Sequence, residues 1–225
     1  MDLSEAIIKR HSVRAFTEEK IEDSAVFSLK DVIKECNEES GLHFQLVTEE
    51  PQAFGGLMAK YGSFSGVKNY IALIGKKGAD LEEKVGYYGA KAMLFAQTLG
   101  LNSCWVALTY KKIKSAYELC EGEKLCGVIA IGYGKTQGVQ HKNKPKETLI
   151  NDGGYAAVPE WFERGAEAAM LAPTATNQQR FLISYEGENK VKIVAKSGFY
   201  TRTDLGIVKF FFETGAGKEN FVWAE

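Results

Sequence analysis

Arg10-His11-Ser12-Val13-Arg14-Ala15-Phe16 is the stretch around which the chain is organised. Arg10, Ser12 and Arg14 alternate, so an extended backbone turns all three to one side. Two guanidinium groups and a hydroxyl on one side suit a phosphate together with a planar, carbonyl-bearing ring. Taken by itself, the same stretch also reads as a solvated basic turn. What separates the two readings is the company it keeps.

Upstream, Asp2 with Glu5 three residues on reads as a capping box, and Leu3, Ala6, Ile7 and Arg10 follow at helical spacing. The spacing predicts a helix that stops near His11 and releases the motif as an extended segment. Downstream, Val26, Leu29, Val32, Ile33 and Cys36 mark the buried stripe of a helix over residues 23–39, ended by Gly41. A short strand is expected at 43–47. Residues 51–66 are glycine-rich and carry no clear period. Residues 69–75 are almost wholly apolar and bounded by glycine, which suits a strand covered on both faces.

Asp80 is expected to cap the longest helix, to about residue 99, with Leu81, Val85, Tyr88, Ala92, Phe95 and Leu99 on one stripe. Gly89, Ala90, Ala92 and Ala96 are small enough to admit a second helix or backbone. A third helix is expected over 111–119, and a buried strand at 128–133 that leads into a basic loop, 135–146. Residues 149–158, with Asn-Asp-Gly-Gly inside, read as a linker. Beyond it, Trp161, Phe162, Ala166, Ala169 and Met170 mark a helix. Residues 181–184 and 191–194 pair as a hairpin across Glu186-Gly187-Glu188-Asn189. A helix over 204–212 and a strand at 220–223 complete the chain.

Composition closes off several function classes. The 225 residues are 45% hydrophobic and 25% charged, as in an ordinary globular protein. A net charge of -1 leaves no electrostatic footprint for nucleic acid or an anionic membrane. No apolar run approaches the roughly 20 residues that span a bilayer. The N-terminus is acidic and amphipathic, unlike a signal peptide, so a cytoplasmic protein with reduced thiols is expected. Cys36, Cys104, Cys120 and Cys126 form no Cys-x-x-Cys pair, and His11, His43 and His141 lie near no cysteine cluster, so no metal site is expected. Gly-x-Ser-x-Gly, a phosphate loop ending Gly-Lys-Ser/Thr and His-Glu-x-x-His are all absent. Gly132-Tyr133-Gly134 with Gly138 misses the dinucleotide-binding spacing.

The two ends of the chain invite comparison. Residues 27–47 run helix, break, then His-Phe-Gln-Leu-Val; residues 161–183 run helix, break, then Arg-Phe-Leu-Ile. They read either as two versions of one unit or as two ordinary helix-to-strand connections.

Four stretches together resemble the FMN-dependent nitroreductase family. Arg10 to Phe16 resembles its opening Arg-x-Ser-x-Arg/Lys-x-Phe. Ala172-Pro173-Thr174-Ala175-Thr176-Asn177-Gln178-Gln179 resembles Ala-Pro-Ser-x-x-Asn-x-Gln. Leu99-Gly100-Leu101-Asn102-Ser103-Cys104-Trp105 resembles Leu-Gly-Leu-Gly-Ser-Cys-Trp, and Lys142-Asn143-Lys144-Pro145 resembles the late basic loop. The resemblance implies an α+β, nitroreductase-like fold: a mixed central sheet flanked by helices, in two related halves. In common members the Ala-Pro-Ser turn precedes the central helix and is supplied across a dimer interface. Here it comes last, which implies a fused pseudo-dimer. Residues 1–150 would hold most of the flavin pocket, and residues 151–225 would supply the turn, intertwined with the first half. One FMN per chain follows, in a monomer acting as a pseudo-dimer or in a homodimer.

Residue by residue, the resemblance puts Arg10 and Ser12, with neighbouring His11, on the FMN phosphate, joined by Lys142 and Lys144. It puts Arg14 by N1 and O2 of the flavin, where a cation stabilises the anionic reduced ring. Pro173, Thr174, Ala175 and Asn177 would touch the ring or ribityl chain. Val106, Ala107 and Leu108 would present backbone to N5, although Leu108 stands where glycine is common. Arg180-Phe181 replaces the family's Pro-Trp. The implied activity is hydride transfer from NADH or NADPH through FMN to a small-molecule acceptor, a nitroaromatic or a quinone. The flavin supplies the chemistry, so no catalytic side chain is implied. Dehalogenase-like flavin chemistry, with residues 52–66 as a lid, and a non-catalytic FMN-binding protein are the alternatives.

Overall fold

The computed structural model describes residues 1–224. α1 (Leu3–Lys9) begins as its sequence dictates: Asp2 accepts from the Glu5 amide at 2.8 Å. The backbone is already extended at Arg10, and the motif then runs beside two other segments. The Val13 amide donates to Ser103 at 3.0 Å, and the Phe16 amide to Ser65 at 2.9 Å. α2 (Asp23–Ser40) buries Ala25, Leu29, Val32, Ile33 and Cys36; Val26, expected on that stripe, is half-buried. Gly41 closes the helix with φ +72°, a left-handed turn that glycine adopts without strain.

β1 (Gln45–Val47) is followed by a 3-10 turn at Gln52–Phe54 and by α3 (Leu57–Tyr61). β2 (Asn69–Lys76) is buried at seven successive positions. Its alternation serves two cores: Ile71 and Leu73 face the helices, while Tyr70, Ala72 and Ile74 face a second cluster with Val13, Phe16, Phe54 and Phe64. α4 (Leu81–Thr98) is the central helix; Asp80 pairs with Lys84 rather than capping it through its side chain. β3 (Asn102–Val106) and β4 (Glu123–Gly132) complete a sheet of order β1-β2-β4-β3, antiparallel throughout.

The helix expected over 111–119 does not form. Ile113, Ala116 and Tyr117 have helical spacing and pack on the second core, but the segment reaches it through a turn. Lys111 is tied to the Ala53 carbonyl at 2.8 Å. The Gln45 carboxamide grips Glu118 at both its amide (2.9 Å) and its carbonyl (2.8 Å). Those tertiary bonds replace the ones a helix would make.

α5 (Lys146–Leu149) precedes β5 (Ile150–Asn151), which pairs in parallel with β6 (Phe181–Gly187), so the expected linker begins as a strand. α6 (Glu160–Met170) leads to the 3-10 turn Ala175–Asn177. β6 and β7 (Lys190–Ala195) form the expected hairpin, turning on two residues, Glu188 and Asn189, with φ of +47° and +57°. α7 (Thr201–Ala216) extends beyond the expected 204–212, and β8 (Val222–Trp223) pairs in parallel with β7. The expected α+β arrangement is built on two four-stranded sheets, and the mixed pairing lies in the second, β5-β6-β7-β8, while the first is antiparallel throughout.

α4 and α7 meet backbone to backbone. A Cβ on Gly86 would fall 2.0 Å from the Thr203 carbonyl oxygen, and one on Gly206 would fall 2.0 Å from that of Glu83. On α4 this approach is made at Gly86, which the sequence reading did not single out; Gly89, which it did, receives the Trp105 ring. Among the described residues no helix is long and apolar enough to cross a membrane.

Candidate functional site

Three of the four motif segments meet at one cleft. Its first wall is Ser12 and Arg14 with the end of β3 and the residues after it, Cys104 to Thr109. The opposite wall is Pro173 to Thr176 together with Phe199, Tyr200, Thr203 and Asp204, and Val85 and Ile207 add apolar surface. The enclosed volume is about 250 Å³, just under the roughly 300–1,000 Å³ of most ligand clefts. A larger groove of about 700 Å³, lined by Lys146, Glu147, Asp152 and Glu163 among others, holds none of the motif residues.

Of the residues singled out from the sequence, Ser12, Arg14, Val106, Ala107, Leu108, Pro173, Thr174 and Ala175 line this cleft. Arg10, His11, Lys142, Lys144 and Asn177 lie outside its lining. Arg14 is exposed, with its guanidinium 5.9 Å from the centre of the Phe64 ring. Leu108 projects at 66% exposure.

Arg10 stands apart in its chemistry. It is 3% exposed, and its Nε and Nη1 have no hydrogen-bond partner among the described residues. Burial pulls its pKa down to about 10, with Cys104 nearby opposing the shift. A desolvated guanidinium with unmet donors is a costly arrangement that an anion relieves. The buried Ser103 hydroxyl, on the strand that bridges Ser12, is also unpartnered. Burial, the Arg10 charge and His141 together hold His11 below its ordinary value, which favours a neutral ring.

The turn over 173–179 is backbone under strain held by side chains. Thr176, Asn177 and Gln179 have φ of +50°, +56° and +43°. The Thr174 hydroxyl accepts from the Gln179 amide at 3.0 Å, and Asp204 accepts from the Ala175 amide at 3.0 Å. The basic loop completes the clamp. Asn177 and Gln179 donate their carboxamides to the Lys142 carbonyl at 2.9 and 2.8 Å, and the Lys144 ammonium donates to the Gln178 carbonyl at 2.6 Å. Lys144 is therefore committed to the turn, whereas Lys142 meets it through its backbone carbonyl and has an exposed side chain.

Sequence reasoning missed Thr176, Phe199, Tyr200, Thr203 and Asp204 on the second wall. Asp204 carried no local signal beyond its place in the first turn of a helix. It also missed that His43, Cys120 and Glu123 bring ligand atoms within 4.8 Å of one another. The hydrogen bonds there describe a pin. His43 Nδ1 lies 3.0 Å from Glu123 Oε2, and its Nε2 lies 3.2 Å from Gln45 Nε2. Gln45 Nε2 can only donate, so Nε2 of His43 accepts and Nδ1 carries the proton to Glu123. A metal on Nδ1 would put that proton on Nε2, against the Gln45 amide.

No protein with a curated function matches this chain. Among solved structures, 24% identity and a TM-score of 0.69 relate it to a "putative nitroreductase (tm1586)" from Thermotoga maritima, over 97% of this chain and 85% of that one. A "putative nitroreductase in complex with FMN" from Desulfovibrio desulfuricans is 18% identical over 71% of this chain and 99% of its own, with a TM-score of 0.52. A nitroreductase family protein from Streptococcus pneumoniae is 15% identical over 67% of this chain and 100% of its own, with a TM-score of 0.53. These likenesses establish a nitroreductase-like fold. The family described as "Putative TM nitroreductase" matches residues 2–216, which take in both walls of the cleft, and the chain belongs to that family.

Proposed function

We propose that the protein is an FMN-dependent oxidoreductase that passes hydride from NADH or NADPH through the flavin to a nitroaromatic or quinone acceptor. The observation that carries this reading is the buried Arg10 guanidinium with two unmet donor nitrogens, two residues from Ser12 in a cleft also lined by Arg14, Val106 to Leu108 and Pro173 to Ala175. The structural relative from Desulfovibrio desulfuricans is described in complex with FMN. The residues present suit that cofactor: Arg10, Ser12 and Lys142 offer a cation pair and a hydroxyl to a phosphate, and Arg14 offers a cation at the cleft rim. When bound, the flavin supplies the hydride chemistry.

The chain's own contribution is to bind and orient. Pro173, Thr174 and Ala175 close on the ring from one wall, and the backbone of Val106, Ala107 and Leu108 bounds it on the other. Lys144 and Asn177 act one step back, fixing the turn through carbonyls of the backbone. Residues 1–150 then hold most of the cofactor and residues 151–225 complete its site, which gives one FMN per chain.

An absorption spectrum of the purified protein, with the released flavin identified and counted, tests the reading. FMN near one per chain, bleached by NADH or NADPH without oxygen, is the expected result. Flavin that binds but is not reduced by either would favour a non-catalytic FMN-binding protein. No uptake from excess FMN would overturn the proposal.

A further inference from the structure

The cleft wall contributed by α7 holds a carboxyl. Asp204 is 5% exposed and lines the cleft beside Ala175 and Thr176. Its Oδ1 accepts from the Ala175 amide at 3.0 Å, and its Oδ2 accepts from Gln178 Nε2 at 2.8 Å. Gln178 Nε2 also donates to the Phe199 carbonyl at 2.7 Å, which fixes the carboxamide. Turned over, its oxygen would face a carbonyl and a carboxylate at once. Both groups of the turn that bond to Asp204 are thus N–H donors, and the buried Gln178 Oε1 has no hydrogen-bond partner among the described residues. Asp204 also lines the cleft, which puts its carboxyl within reach of an acceptor bound there.

The charges around Asp204 leave it uncompensated. Arg14 lies on the far wall, Arg202 and Lys209 lie on α7, and Glu82 and Glu83 lie on α4. None of them forms an ion pair with Asp204 among the described residues, and Lys209 is taken by Glu83. Burial raises the carboxyl to about 6, against the lowering effect of its two N–H bonds. That balance suits a group that gains and loses a proton near neutrality. Among the described residues that line the cleft there is no other carboxyl and no histidine, and burial pushes the Cys104 and Cys126 thiols up. The Tyr200 phenol is the other acidic O–H on that wall.

We propose that Asp204 is the proton donor to the acceptor bound in this cleft. The inference rests on the oxidoreductase reading above. Two-electron reduction of a quinone consumes a hydride and a proton. Hydride from the reduced flavin forms the O–H bond at one quinone oxygen. The O–H bond of Asp204 breaks, and its proton forms the second O–H bond at the other oxygen. The product is the hydroquinone, and the carboxylate recovers a proton from water.

The test uses the full chain loaded with FMN, with bound flavin counted first. The protein is reduced without oxygen and mixed rapidly with a benzoquinone between about pH 5 and pH 8. An infrared titration of the oxidised protein gives a readout independent of turnover: a protonated-carboxyl band that fades with rising pH and is missing from Asp204→Asn. The wild-type oxidation rate is expected to fall about tenfold per pH unit above the infrared midpoint. Asp204→Asn is expected to be roughly a hundredfold slower and pH-flat.

Asp204→Asn leaves one of the two N–H groups without an acceptor, so the wild-type profile stands as a measurement that needs no variant. Wild-type oxidation that ignores the infrared midpoint overturns the proposal. So does Asp204→Asn with FMN bound and the wild-type profile retained, or Tyr200→Phe as the variant that abolishes the pH dependence. A wild-type chain that takes up no FMN overturns both this inference and the reading beneath it, and the flavin count tells that outcome apart.

Discussion

Arg10 and Asp204 are the two side chains whose burial makes least sense as stability alone. Replacing Arg10 with Met removes an uncompensated cation, so the flavin-free protein is expected to melt at the same or a higher temperature. The same change is expected to weaken FMN binding by roughly 10- to 100-fold, the loss of a charge-assisted hydrogen bond worth about 1.5–3 kcal/mol. Thermal melts and a fluorescence titration check the two halves of this prediction. Asp204 works in the opposite sense on stability. Its folded pKa is raised to about 6 from the ordinary 3.8, so its favourable contribution is complete below pH 4 and is lost as pH rises through 6. Denaturant unfolding at the two ends of that window is expected to show wild type losing on the order of 2 kcal/mol relative to Asp204→Asn. Neither side chain was fully legible in the sequence. By itself the Arg10 motif read more readily as a solvated turn, and only the fold shows Arg10 buried while Arg14 stays exposed. The bond from Asp204 to Ala175 spans 29 residues, which no local pattern encodes.

At the scale of the element, legibility followed how far a segment's own period matched its surroundings. β2 was readable because two cores cover it, leaving an unbroken apolar run. The hairpin of β6 and β7 was readable from its flanks, although its turn is two residues rather than four. Residues 111–119 misled because Ile113, Ala116 and Tyr117 share a helical period while their backbone is tied to Gln45 and Ala53. β5 was missed because two residues carry no period. Gln45→Ala is therefore expected to loosen the 111–119 segment without unfolding the sheet, seen as faster amide exchange at Glu118. At the crossing of α4 and α7, Gly206→Ala is expected to cost about 1–3 kcal/mol in denaturant unfolding, because its Cβ would meet the Glu83 carbonyl oxygen at 2.0 Å.

Across the whole molecule, the helical core takes Leu29 and Ile71 from the first part of the chain and Phe162, Phe181, Phe211 and Phe212 from the last. A fragment ending at residue 150 would expose the face of α4 that α7 covers. Such a fragment, expressed alone, is expected to show no cooperative thermal transition, and poor dispersion in an amide NMR spectrum would record it. The crossing at Gly86 and Gly206 has a further meaning for the cleft. Val85 and Ile207, each one residue from a contact glycine, line it. The two walls are therefore set apart by the thickness of two bare backbones, a spacer with no adjustable part. Room for a different acceptor is therefore opened more readily at the exposed Leu108 and Phe199 than at that end, where an added side chain meets backbone.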